Sequence, residues 1–228
     1  MDCNTVERIL PTAYDFGRQH IDLSGCHYGE PFGKGRFVDW AFGKGPFVDR
    51  ALDYYYFLAG PVAQLRCSRI LELGAHFGGS IFSMVRGIEY AGLRSSAEVV
   101  TIDIVNRNPE GFKAVPLVRH FLGSCFDPAM VRAAADAFSW PVDILFIDIM
   151  HTYEQTSRCL KCYVPAVSPR LIILDDIRLN ASMSQLWDEL VASYGDRAID
   201  VTRWARREDE VGFGLLVNEA APRPVTAG

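Results

Sequence analysis

Short β-branched runs alternate with helical stretches from about residue 69 onward. This alternation predicts a parallel sheet with helices on both of its faces. The predicted strands are RILEL (69–73), EVVTID (98–103), VPLVRHFL (115–122), VDILFID (142–148) and RLIILDD (170–176). Apolar residues at helical spacing predict the helices between them, over 80–92, 127–138 and 152–164.

The end of the pattern differs from its centre. Residues 198–204 and 211–217 are two apolar runs separated by a charged turn, which predicts an antiparallel hairpin at the edge of the sheet. Asp127 followed by Pro128 predicts a helix N-cap with proline at the first helical position.

The first 65 residues do not follow the alternation. They contain a predicted helix at 5–19, an aromatic helix around 48–65, and a tandem repeat, FGKGRFVDWA (32–41) then FGKGPFVDRA (42–51). The repeat is interpreted as a duplication that lengthens a surface loop, or as a mobile lid over an active site. The predicted organisation is a helical and lid segment that shapes the substrate pocket, a main domain and a flexible tail, over 1–65, 66–218 and 219–228.

Composition and charge narrow the class of protein. A chain of 228 residues can bury one sizeable core. The net charge of −5 argues against a nucleic-acid partner, which would require a basic face. No apolar run approaches the ~20 residues needed to cross a bilayer, so no membrane partner is expected. The N-terminus lacks the apolar core of a secretory signal, so a cytoplasmic protein is expected.

The six cysteines are scattered rather than regularly spaced, unlike those of a disulfide scaffold. The closest pair, Cys159 and Cys162, lies inside a predicted helix rather than at its N-terminus, where a redox pair would gain a depressed pKa. The cysteines are therefore predicted to be reduced structural thiols.

A glycine-rich turn, ELGAHFGGS (72–80), follows the first strand. Such a turn lets the backbone approach a ligand and directs helix N–H groups towards it. The dinucleotide spacing is absent because residue 76 is histidine. The second strand ends at Asp103, which could be a plain strand cap or could bind both hydroxyls of a ribose. Together the two features predict an adenosine-containing ligand across the carboxyl ends of the strands.

Six motifs occur in order: E-x-G-x-x-x-G-x-S (72–80), Asp103, Gly123-Ser124, FIDxxHTYE (146–154), LDDI (174–177) and GFG (212–214). With them, residues 66–218 resemble a class I S-adenosylmethionine-dependent methyltransferase. The chain is most similar to the metal-dependent O-methyltransferases of antibiotic and sugar tailoring. The resemblance implies a three-layer, Rossmann-like, seven-stranded α/β sheet that is parallel except for an antiparallel C-terminal hairpin strand.

The resemblance also implies a cofactor site for S-adenosylmethionine. Asp103 would hold the ribose, and Gly123 and Ser124 would lie near the adenine. The full set of implied cofactor-binding residues is Glu72, Gly74, Gly78, Ser80, Asp103, Gly123, Ser124 and Asp148.

Three carboxylates end the fourth and fifth strands: Asp148, Asp175 and Asp176. Neighbouring parallel strands lie about 4.8 Å apart, so these side chains can converge, and clustered hard oxygens suit Mg²⁺ or another divalent cation. In the resembled family this trio is the metal site, where the ion would lower the pKa of the substrate oxygen. His151 would be the general base, with Asp148 as the second catalytic residue. The alternatives are capping or solvent-exposed roles for Asp175, Asp176 and His151.

One departure from the family bears on function. The relatives read Asp-Gly-Asp-His, whereas this chain reads Asp148-Ile149-Met150-His151. Without this carboxylate the metal requirement stays open, and the role of proton acceptor falls more strongly on His151. The apolar residues Ile149 and Met150 favour an apolar or aromatic substrate. The predicted function is methyl transfer to an oxygen of a small secondary-metabolite or sugar-like acceptor. Metal-independent N-methylation of a small amine, a degenerate binding module, and a homodimer or higher homo-oligomer all stay open.

Overall fold

The computed structural model describes residues 3–26, 52–139, 141–206 and 211–218. The tandem repeat at 32–51 and the predicted tail at 219–228 lie outside the described residues. Two helices precede the sheet, α1 (Cys3–His20) and α2 (Asp53–Gln64).

Seven strands form one sheet in the order β3-β2-β1-β4-β5-β7-β6. They are β1 (Arg69–Leu73), β2 (Glu98–Asp103), β3 (Val118–Leu122), β4 (Ile144–Ile147), β5 (Leu171–Asp175), β6 (Ala198–Asp200) and β7 (Phe213–Val217). The first five are parallel, and β7 runs antiparallel to both β5 and β6. The predicted seven-stranded arrangement with an antiparallel C-terminal strand is confirmed.

Five further helices connect the strands: α3 (Gly79–Tyr90), α4 (Pro109–Ala114), α5 (Pro128–Asp136), α6 (Tyr153–Val167) and α7 (Ala181–Tyr194). The predicted cap of α5 is confirmed, because the Asp127 carboxylate accepts a hydrogen bond from the Ala129 N–H at 2.8 Å. Helix α4 was not predicted. It is short and begins with the same device, an Asn108 cap followed by proline.

Two strand boundaries differ from the predictions by three residues or more. β3 begins at Val118 rather than at residue 115, because the Val118 N–H bonds to the Val115 carbonyl in a turn that follows α4. β6 ends at Asp200 rather than at residue 204. There the Asp200 carboxylate accepts the Thr202 N–H at 3.0 Å, and this local bond turns the chain away from the sheet.

Apolar side chains cover both faces of the sheet. On one face Phe57, Phe146 and Phe213 pack with α1, α2 and α3 in a single buried cluster. On the other face Tyr163 and Trp187 pack from α6 and α7. Burial on both faces explains the nearly continuous apolar sequence of β4 and β5. Among the described residues, no helix combines the length and apolarity that a membrane crossing requires.

Helices α1 and α2 approach each other closely through glycine. A Cβ added at Gly17 would lie 2.1 Å from the Tyr56 carbonyl oxygen, and one at Gly60 would lie 2.1 Å from that of Ala13. Helix α2 is equally close to α3, because a Cβ at Gly79 would collide with the Tyr55 ring. Helix α2 thereby reaches the end of α3 that faces the predicted cofactor site.

Candidate active site

The predicted site residues lie at the carboxyl ends of the parallel strands. Three backbone hydrogen bonds join neighbouring strand ends: Gly74 N–H to Ile102 O at 2.9 Å, Asp148 N–H to Leu73 O at 2.8 Å, and Gly123 N–H to Asp103 O at 2.9 Å. The ends of β1 to β4 therefore form one continuous edge. Ligands of open α/β sheets bind at such an edge.

The turn after β1 requires glycine at two positions. Gly74 has φ +96°, and a Cβ there would lie 1.6 Å from the Asp148 carbonyl oxygen. Gly78 has φ +87° and is the N-cap of α3. The turn therefore passes directly over the end of β4 and directs the first N–H groups of α3 towards the site.

Asp103 is bound to this turn from the neighbouring strand. Its carboxylate accepts the His76 N–H at 2.8 Å and the Val105 N–H at 3.1 Å. A carboxylate offers about four acceptor positions, so capacity for ribose hydroxyls is left. The structure places Asp103 beside the glycine turn, and its contact with ribose stays a prediction.

Glu72 and Ser80 lie below the turn. Ser80 Oγ donates to Glu72 Oε1 at 2.5 Å, and Thr101 Oγ1 donates to Oε2 at 2.6 Å. Burial raises the pKa of Glu72 to about 7, although the two hydroxyls act in the opposite direction. Both carboxylate oxygens thus have partners inside the protein, and direct cofactor contact by Glu72 or Ser80 stays a prediction.

Replacement of Glu72 by glutamine is expected to change how stability depends on pH. The folded pKa of about 7 lies above the unfolded value of 4.5. Ionisation of Glu72 therefore lowers the free energy of unfolding of the protein as pH rises between these two values. The total loss is about 3 kcal/mol at 1.36 kcal/mol per pKa unit. Urea unfolding at pH 5 and pH 8 should show the wild type losing most of this amount relative to Glu72→Gln. Equal pH dependence in both proteins would contradict the assignment, and Glu110→Gln on exposed α4 is the control.

The third and fourth strand ends carry the remaining predicted cofactor residues. After β3, Gly123 lies next to Asp103, and Ser124 Oγ accepts the Phe126 N–H at 3.2 Å. After β4, Asp148 begins the turn that leads to His151 and α6. Their contacts with adenine and with the cofactor stay predictions.

His151 lies between two carboxylates. Its Nε2 is 3.3 Å from Asp176 Oδ2 and 3.6 Å from Asp148 Oδ1. The Asn180 amide, at the start of α7, donates to the His151 carbonyl at 2.9 Å and fixes the turn. The imidazole is about one-fifth exposed, so it is held in place while its edge stays accessible. Flanking carboxylates can orient an imidazole and stabilise it once it has accepted a proton.

Asp175 is placed differently from the other two acids. Its Oδ1 accepts the N–H of Asp176, whose φ is +56°. Within the described ranges, no group of three or more histidine, cysteine, aspartate or glutamate side chains is arranged to hold a metal ion. The structure brings Asp148, His151 and Asp176 together, and the three-carboxylate metal site stays a prediction.

Several residues at this edge were not singled out from the sequence. Ile104 follows β2 and is 72% exposed, and Leu122, the last residue of β3, is 57% exposed. Asn108 Nδ2 donates to the Phe77 carbonyl at 2.9 Å, which supports the glycine turn from α4. The sequence signal for Ile104 is an apolar residue directly after a strand-ending acid. The signal for Asn108 is asparagine directly before proline.

The comparisons agree with this geometry. Residues 71–177 match a family model described as a methyltransferase domain. The chain is similar to the O-methyltransferase TomG of Streptomyces achromogenes, solved with S-adenosylmethionine, at 18% identity and a TM-score of 0.53, covering 93% of this chain and 98% of that one. The S-adenosylhomocysteine-bound methyltransferase PaMTH1 of Podospora anserina gives 13% identity and 0.55, covering 92% and 88%.

A third similar structure is MycE of the mycinamycin pathway, solved with Mg, S-adenosylhomocysteine and mycinamycin VI. It gives 16% identity and a TM-score of 0.51, and covers 91% of this chain, which spans 56% of the MycE chain. No curated sequence matches the chain. Residues 71–177 therefore contain a methyltransferase domain, and the chain shares the fold of these solved methyltransferases.

Proposed function

We propose that this enzyme transfers the methyl group of S-adenosylmethionine to an oxygen of a small-molecule acceptor. The observation that carries the proposal is His151 Nε2, held between Asp148 and Asp176 at the sheet edge beside the glycine turn. Methylation of a hydroxyl releases one proton, and an imidazole flanked by carboxylates is suited to accept it. TomG and MycE, both of this fold, come from tomaymycin synthesis and the mycinamycin biosynthetic pathway.

The cofactor would lie across the ends of β1, β2 and β3. Its methionine end would contact Gly74, Gly78 and the first turn of α3, its ribose would contact Asp103, and its adenine would lie near Gly123 and Ser124. The exposed side chain of Ile104 would provide apolar surface for the adenine ring. Residues 66–218 would form the catalytic unit, and residues 1–65 would shape the acceptor pocket, which α2 approaches through Tyr55.

The chemical step is an in-line displacement. The acceptor oxygen forms a bond to the methyl carbon while the carbon–sulfur bond breaks, and its electron pair stays on S-adenosylhomocysteine. The acceptor proton passes to His151 Nε2. Where no cation is bound, Asp148 and Asp176 stabilise the resulting imidazolium. The enzyme contributes mainly orientation of acceptor and methyl group.

A divalent cation, Mg²⁺ or similar, is part of the proposal. Asp148 and Asp176 would bind it, with Asp175 as a third ligand, because carboxylate oxygens are the donors that such ions prefer. The MycE structure contains Mg beside S-adenosylhomocysteine. The bound ion would lower the pKa of the acceptor hydroxyl. Since His151 Nε2 lies near the same two carboxylates, a protonated imidazole and a cation are alternative ways to balance their charge.

Replacement of Asp176 by asparagine is expected to weaken Mg²⁺ binding by about tenfold or more, because one anionic ligand is lost. Titration of MgCl₂ into the EDTA-stripped protein measures this directly. Glu154→Gln, an exposed carboxylate at the start of α6, should leave Mg²⁺ affinity unchanged. Equal affinity of Asp176→Asn and the wild type would contradict the metal site. Full activity in EDTA on an amine acceptor would instead favour metal-independent N-methylation.

The acceptor class can be tested with deuteromethyl-labelled S-adenosylmethionine. Catechols, vicinal diols, sugar hydroxyls and matched primary amines are each incubated with enzyme, and products are separated by mass spectrometry. We expect S-adenosylhomocysteine and an equimolar amount of labelled O-methyl product from at least one hydroxyl class. Labelled product from amines alone would contradict O-methylation.

A further inference from the structure

Two cysteines that are distant in sequence lie side by side near the edge of the sheet that carries the proposed cofactor site. Cys125 Sγ and Cys159 Sγ are 3.9 Å apart. Cys125 lies in the loop after β3, next to Ser124, and Cys159 is buried in α6. Because a disulfide requires about 2.05 Å between sulfurs, a shift of roughly 2 Å would join them.

The loop that carries Cys125 is fixed on both sides. Tyr163 in α6 donates to the Cys125 carbonyl at 3.0 Å, and Arg158 donates to the Phe126 carbonyl at 3.2 Å. On the other side the Gly123 N–H bonds to the carbonyl of Asp103. A change in the position of Cys125 is therefore transmitted to the residues proposed to contact ribose and adenine.

The two thiols are not equivalent. The hydrogen bond with the Cys159 thiol lowers the pKa of Cys125. The nearby Arg158 also lowers it, whereas burial raises it. The hydrogen bond with Cys125 and burial raise the pKa of Cys159. Cys125 is also the partly exposed member of the pair. A reagent in solution therefore meets Cys125 before Cys159.

We propose that Cys125 and Cys159 form a reversible disulfide by exchange with a small-molecule disulfide, and that this bond lowers affinity for S-adenosylmethionine. The Cys125 thiolate attacks oxidised glutathione and releases one glutathione thiolate, which gives a mixed disulfide. Cys159 loses its proton to solvent, attacks Cys125 Sγ and releases the second glutathione. The two protein thiols are oxidised and one glutathione disulfide is reduced to two thiols. The effect on affinity rests on the proposed cofactor site, whereas the bond itself does not.

The bond is tested by treating the purified protein with oxidised glutathione and measuring intact mass and disulfide-linked peptides. We expect the loss of two hydrogens, a 125–159 linkage, and full reversal by dithiothreitol. Cys125→Ser, at the partly exposed position, should abolish the linkage, and Cys162→Ser in the same helix should leave it intact. Linkage of Cys159 to Cys162, or stable glutathione adducts without an internal bond, would overturn the proposal.

The effect of the bond is tested by titrating S-adenosylhomocysteine into oxidised and reduced protein. We expect about tenfold weaker binding after oxidation, equivalent to ~1.4 kcal/mol, and no change in oxidised Cys125→Ser. Unchanged affinity in protein shown to carry the bond would overturn its regulatory role. Failure of reduced protein to bind at all would count against the cofactor site and leave the mass result standing.

Discussion

Replacement of His151 by alanine is expected to slow methyl transfer by about 10²- to 10⁴-fold, the usual contribution of a general base. The Nε2 atom is 3.3 and 3.6 Å from the two flanking carboxylates, and alanine has no proton acceptor in its place. The rate of S-adenosylhomocysteine formation with the best acceptor measures the effect. Affinity for S-adenosylhomocysteine should be unchanged, because none of the proposed cofactor contacts involves the His151 side chain.

A matched substitution separates catalysis from a general loss of histidine. His20 is exposed at the end of α1, and His20→Ala should retain the wild-type rate. The loss in His151→Ala should also be smaller at high pH, where hydroxide and the ionised acceptor reduce the need for a base. Wild-type turnover by His151→Ala at neutral pH would contradict the proposed role.

The second large effect is expected at Asp103. Asp103→Asn should weaken S-adenosylhomocysteine binding by about 10- to 100-fold, since hydrogen bonds to a charged group contribute about 1.5–3 kcal/mol each. The side chain accepts two backbone N–H groups, from His76 and Val105, and the neutral amide has one acceptor oxygen instead of two. The substitution therefore weakens both the proposed ribose contact and the glycine turn. Calorimetric titration measures the change.

The control for Asp103 is Asp136→Asn, which removes an exposed carboxylate at the end of α5. It should bind S-adenosylhomocysteine as the wild type does. Unchanged affinity in Asp103→Asn would leave Asp103 with the strand-capping role that the sequence alone also allows.

The sheet could be predicted because its strands are strongly apolar and bounded by polar turns. The predicted and observed bounds of β1 and β2 are identical, and those of β4 and β5 differ by at most two residues at each end. β6 could not be placed as well. Its apolar sequence continues past Asp200, and only the local bond from Thr202 shows where the strand ends.

The site could be predicted only in part. Strand-ending acids are visible in the sequence, so the position of Asp103, Asp148 and Asp176 at the carboxyl edge of the sheet could be predicted. The distinct orientation of Asp175 depends on a bond to the next backbone N–H, which no residue pattern encodes. Glu72 was assigned to the cofactor, but its two hydroxyl partners come from α3 and β2. The contact between Cys125 and Cys159 joins residues that are 34 apart in sequence, so it follows only from the three-dimensional structure.

The most direct measurement is a calorimetric titration of S-adenosylhomocysteine into the purified, reduced protein, first with EDTA and then with Mg²⁺. We expect one site per chain with micromolar affinity in both buffers, because the proposed nucleoside contacts do not involve the metal ligands. Heat that appears only with Mg²⁺ would move the cofactor contacts towards Asp148. No binding in either buffer would contradict the proposal that the turn at Gly74–Gly78 and Asp103 form the cofactor site.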